Sequence, residues 1–130
     1  KGGSVITYIT GINLTVMMND LQTWSQKNFG DNKGINHLGP LIGMQEELGE
    51  LAHIALKKHQ DIRRDEEFSK PDDLGILPEH DALADILVYW LDYCWRIGIQ
   101  DPEYLVEKVL YQRVLKRNWK KHRKIGQKID

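Results

Sequence analysis

At 130 residues the chain is long enough for one domain with a real core, yet small enough that partner chains could complete it. Its 18 basic and 19 acidic side chains leave a formal net charge of -1, so no global field dictates a nucleic-acid or membrane partner. One cysteine excludes an intrachain disulfide, and no apolar run approaches the ~18 to 20 residues of a transmembrane helix, so a soluble protein of the reducing cytoplasm is expected.

Residues 1–16 are Thr- and Ile-rich, β-prone and without an obvious partner strand. They are set apart as a poorly specified arm, with one helical domain expected over 17–130. Met18, Leu21 and Trp24 then follow helical spacing, with Asn19 or Asp20 available as a cap, and Gly30 ends this first helix. Gly34, Gly39 and Pro40 punctuate a loop that carries His37. Pro40, a favoured first-turn residue, starts a second helix expected to run to about Asp61. Its apolar stripe reads Leu41, Met44, Leu48, Leu51, Ala52 and Ala55, with Glu47 and Glu50 on the flank and Glu46 further round.

The charged stretch 62–77, with Pro71 and Gly75, reads as a mobile connection, either a lid or a solvated loop. Pro78 opens a third helix that Gly98 closes. Ala82, Leu83, Ile86, Leu87, Tyr89, Trp90, Tyr93, Cys94 and Ile97 cover more than half its circumference, which makes it central and Cys94 a buried, inert thiol. Its polar residues are confined to a strip of Asp81, Asp85, Asp92 and Arg96. Asp101-Pro102-Glu103 joins an N-cap, a first-position proline and a favourable charge, so a fourth helix starts there. It is expected to continue through Leu115 into a basic tail at 118–121, and the whole to be an all-α bundle.

The chemistry gathers on the second and third helices. Glu47 and Glu50 are three apart and Asp81 and Asp85 four apart, so each pair shares one helical face. An exposed acidic face is the bland explanation of Glu46, Glu47 and Glu50, but 41–56 holds no Lys or Arg to pair with them. First-turn acids favoured by the helix dipole explain Asp81 but not Asp85 and Asp92, which lie beyond that turn. Two such helices packed antiparallel bring four carboxylates together, and these repel unless a cation neutralises them or protons are retained. Oxygen-only ligands favour Mg²⁺ or Mn²⁺ over Zn²⁺. His80-Asp81 resembles the dipeptide of HD-type phosphohydrolases, whose further His ligands find no matching context at His37, His53 or His59.

Taken together these residues resemble the MazG-like all-α nucleotide pyrophosphohydrolases. Glu46-Glu47-Leu48-Gly49-Glu50-Leu51 is similar to the family's EExxE motif, and Asp85 followed by Ile86-Leu87-Val88-Tyr89-Trp90-Leu91 to its second acidic helix, ExxD and an apolar stretch. Asn118 with Lys121 resembles its Asn-x-x-Arg/Lys element, and the likeness spans roughly 21–121. One departure stands out: the ExxD glutamate falls on Ala82, with Asp81 next to it as the substitute.

The resemblance implies a four-helix bundle completed as a dimer or tetramer, and Mg²⁺-dependent hydrolysis of a nucleoside triphosphate to the monophosphate and pyrophosphate. By the same likeness Glu47, Glu50, Asp85 and Asp81 would hold the metal, and Glu46 would orient or deprotonate the water or add a further ligand. Lys116, Asn118 and Lys121 would hold the phosphates, and Trp24, with Phe29 and His37 as lesser candidates, would hold the base. A catalytically silent bundle that binds nucleotide or metal is the alternative, and an interaction module whose basic tail contacts RNA is a third.

Overall fold

The computed structural model describes residues 11–30, 36–61 and 68–120. These form four α-helices and a closing π-helical turn, with no strand among them: α1 Leu14–Phe29, α2 Leu38–His59, α3 Pro78–Arg96, α4 Pro102–Val109 and the turn Leu110–Val114. The all-α expectation therefore holds. The first ten residues of the arm, 31–35 with Gly34 of the expected loop, 62–67 and the tail from Lys121 lie outside the described residues.

The first helix starts earlier than its apolar spacing suggests. Asn13, not Asn19 or Asp20, is its cap, accepting from the Val16 N–H at 2.9 Å, so part of the expected arm is helical. The start is also fixed from a distance. The Leu14 N–H donates to Glu103 Oε1 at 3.0 Å, Thr15 Oγ1 donates to Asp101 Oδ1 at 2.7 Å, and the Glu103 N–H donates to Thr15 Oγ1 at 3.2 Å. Asp101 also accepts from the Tyr104 N–H, so the N-termini of α1 and α4 cap each other.

α2 and α3 are antiparallel. Arg96 reaches the Asn36 carbonyl, Tyr89 lies on Gly43, Asp85 faces Glu47, and Lys58 pairs with Glu79, so partners descend along one helix as they climb the other. The inward side of α2 differs from the expected stripe. Its buried residues are Pro40, Gly43 and Ile54, with Met44, Glu47 and Leu51 half-buried between them, whereas Leu41 and Leu48 are exposed. The stripe turns because Gly43 lets α3 come close there, and the Tyr89 ring occupies the space a side chain would take.

α1 covers the later half of α3, where Met18, Leu91 and Cys94 form a small core edged by Leu14, Leu21, Trp90, Trp95 and Ile99. Cys94 is a free, buried thiol, and burial raises its pKa. The described half of the connection into α3 is a built turn. Asp72 Oδ1 accepts from the Leu74 and Ile76 N–H groups at 2.9 Å each, Gly75 takes φ 79°, and Phe68 is buried with its ring edge-on to His53.

α4 is shorter than expected. It gives way at Leu110 to the π turn, closed by a 2.9 Å bond from the Leu115 N–H to the Leu110 carbonyl, and 118–120 are not helical. Pro102 is the one buried residue of α4 among the described residues, so little burial sustains its later turns. Leu83, Leu87, Val106, Val109 and Leu115 are all exposed. Among the described residues no helix is long and apolar enough to cross a membrane.

Candidate functional site

Glu47 is the centre of the acidic group. The two-turn repeat that points Met44 and Leu51 at α3 points Glu47 there too, so it lies on the packed face rather than its flank. Burial comes first among the causes that hold its carboxyl above the ordinary 4.5, followed by the negative charges of Asp85, Glu50, Glu46 and Asp81. The other four expected acids thus all act on Glu47. Asp85, opposite on α3, is also pushed above its ordinary 3.8, by burial, then by the charge of Asp81, then by a hydrogen bond shared with Asp81. Asp81 therefore stands beside Asp85, while Ala82 is turned inward at 2% exposed.

Glu46, Glu50 and Asp81 are exposed. Among the described residues no three His, Cys, Asp or Glu side chains stand close enough together to hold one ion. Burial first, and then the neighbouring negative charges, make Glu47 and Asp85 retain their protons more tightly. The donor set itself, all oxygen and from facing helices, suits a hard divalent cation.

The sign of the pH effect follows. A carboxyl whose pKa is raised by folding stabilises the fold fully below its unfolded value, and that contribution is lost as pH rises through the folded value. Metal-free wild type is therefore expected to lose melting temperature relative to Asp85→Asn as pH rises from about 4 to 7. Melting curves of both proteins across that range check this, since groups common to both cancel; a difference that stays flat would contradict it.

The acids open into a cleft of about 250 Å³ lined by Leu21 and Trp24 of α1, Glu47 of α2, and Asp85, Val88, Tyr89 and Asp92 of α3. Trp24 is 54% exposed, and the Phe29 ring meets it edge-on at 5.6 Å. His37 lies elsewhere, its ring 5.9 Å from that of Tyr93, and does not line the cleft. Neither do Lys116, whose Nζ donates to Gln112 Oε1 at 3.4 Å, or the exposed Asn118; Lys121 is outside the described residues. His80 and His59 are exposed, and His53 packs on Phe68.

Tyr89 and Asp92, which line the cleft, and Gln22, which supports it, were not among the expected site residues. Tyr89 reads as a core aromatic, and its signal is the glycine at 43 on the facing helix. Asp92 recurs seven residues after Asp85, which puts it on the same face two turns on. Gln22, behind Asp92, has no sequence signal at all.

Compared with family models, curated proteins and solved structures, the chain matches none of the three.

Proposed function

We propose that the cleft binds a nucleoside triphosphate together with a hard divalent cation, Mg²⁺ or Mn²⁺, and that the chain hydrolyses it to the monophosphate and pyrophosphate. The observation that carries this reading is that Glu47 and Asp85 face each other from two helices in the cleft that holds the exposed ring of Trp24, with Glu46, Glu50 and Asp81 near enough to act on Glu47 by charge. Two facing carboxyls whose ionisation is disfavoured, Glu47 and Asp85, opening next to an exposed aromatic ring, suit a cation-bridged polyphosphate with a base attached. The likeness to the MazG-like motifs points the same way.

Glu47, Glu50 and Asp85, with Asp81 in place of the glutamate missing at 82, would hold the cation. When bound, it neutralises phosphate charge and lowers the pKa of a water. Glu46, exposed and one residue before Glu47, is suited to orient that water or take its proton. Trp24 offers a stacking face for the base. Lys116, Asn118 and Lys121 would meet the phosphates from the far side if a second copy brings them to the cleft. The exposed apolar residues of α3 and α4 favour such a homodimer or homotetramer. A cytoplasmic house-cleaning role in the nucleotide pool fits this chemistry.

A silent nucleotide- or metal-binding bundle is the second reading, and the inward-facing Ala82 is what favours it. Incubation of the protein with Mg²⁺ and a panel of canonical and modified nucleoside triphosphates, with products resolved by ion exchange, separates the two. Equal amounts of monophosphate and pyrophosphate, lost on chelation, are expected. Binding without cleavage would establish the silent bundle instead.

A further inference from the structure

Asp92 lies in the same cleft as Trp24, on the face of α3 that carries Asp85 two turns earlier. Its carboxylate is held from behind. Oδ1 accepts from Gln22 Nε2 at 2.9 Å and from Arg96 Nε at 2.9 Å, and Arg96 Nη1 donates in turn to the Asn36 carbonyl at 3.3 Å. Among the described residues no hydrogen bond reaches Oδ2, which leaves the carboxylate one open acceptor.

Gln22 shows that this arrangement costs stability. It is only 3% exposed, and its Oε1 is buried with no partner among the described residues. Turning the amide over would not help, because its oxygen would then face the Asp92 carboxylate. A buried acceptor left unsatisfied destabilises a fold, and such groups call for a reason other than packing. Here the amide is oriented by the residue it fixes, and that residue lines the cleft.

We infer that Asp92 reads the edge of the substrate's base, favouring bases that carry an amino group at the 4 or 6 position (cytosine, adenine) over uracil and thymine, which carry a carbonyl there. This rests on the nucleotide reading of the cleft. A carboxylate only accepts hydrogen bonds, so it pairs with an amino group, whereas the carbonyl at the matching edge of uracil or thymine turns lone pairs toward its charge. The geometry suits one nucleotide. Asp85 and Asp92 are separated by about 10 Å along the helix axis, comparable with the reach from a nucleotide's phosphate to the far edge of its base. Trp24 then supplies the face for stacking and Asp92 the selective edge.

The test compares wild type, Asp92→Asn and Gln22→Met on dCTP, dATP, dGTP, dTTP and dUTP with Mg²⁺. Wild type is expected to favour dCTP and dATP over dTTP and dUTP by about 10- to 100-fold in kcat/KM, chiefly through KM, with dGTP, which turns a carbonyl to that edge, grouped with the latter. Asp92→Asn should collapse that ratio. Gln22→Met should weaken it while the protein still melts cooperatively, which carries the test if Asp92→Asn does not fold. Hydrolysis of all five at equal kcat/KM, or an unchanged ratio in both variants, would overturn the base reading and leave the hydrolase intact. If nothing is hydrolysed, quenching of tryptophan fluorescence by dCMP but not dUMP would uphold the base pocket and remove the hydrolase; equal or no quenching would overturn the base pocket too.

Discussion

Replacing Asp85 by Asn is expected to abolish Mg²⁺-dependent hydrolysis and yet raise the melting temperature of the metal-free protein. The two effects have one cause. Asp85 is half-buried and beside Asp81, so its charged form is disfavoured by desolvation and by a like charge, and it adds to the repulsion on Glu47. Asparagine keeps the shape and removes the charge, which relieves both penalties. The same change removes a carboxylate from the proposed cation site. Loss of an outer partner of a metal ligand alone costs about 10- to 100-fold, so loss of a ligand should exceed that. Destabilised groups retained at a site are how function and stability come into conflict. Steady-state rates together with chemical or thermal unfolding of the metal-free protein check both halves. Wild-type turnover in Asp85→Asn would remove it from the site, and a lower melting temperature would mean the acids are not in repulsive contact.

Gly43→Ala should destabilise the protein where Gly49→Ala, six residues on in the same helix, should stabilise it. A Cβ at 43 would stand 2.5 Å from the Tyr89 ring, a rigid neighbour that cannot fold away, whereas a Cβ at 49 meets nothing within 4 Å. Alanine gains about 1 kcal/mol over glycine in a helix interior, which is the whole expected effect at 49. At 43 an overpacking cost of about 1–3 kcal/mol opposes that gain, for a net loss of up to about 2 kcal/mol. Because Tyr89 lines the cleft, Gly43→Ala should also raise KM for a substrate bound there. Urea unfolding of the two variants side by side measures the difference; equal stabilisation of both would mean Tyr89 does not lie on Gly43.

These residues also show what could be read in advance. Gly30, Pro78, Gly98 and Asp101-Pro102 mark helix ends by local chemistry, and the structure puts ends there. The confrontation of Glu47 and Asp85 was legible too, because face-sharing spacing and an antiparallel helix pair suffice for it. The start of α1 was not. Ile12, Thr15 and Val16 favour strand, and what outweighs them is Asn13 together with Glu103, which caps Leu14 from 89 residues away. The inward face of α2 was misjudged because a count of large apolar residues ignores glycine; Leu48 is 57% exposed because Gly43, not a leucine, decides where α3 fits. The end of α4 was overextended for a related reason. Periodicity signals an amphipathic helix whether or not another element is there to bury its face.

Titration of Mn²⁺ into metal-free protein, followed by loss of the free-ion paramagnetic resonance signal, tests the proposed site without reference to any substrate. Wild type is expected to deplete the signal and release protons as it does so, since Glu47 and Asp85 hold theirs more tightly than ordinary carboxyls, and Asp85→Asn is expected to leave the signal largely intact. Undiminished free Mn²⁺ in the presence of wild type, or equal uptake by both proteins, would contradict a cation site at these carboxylates.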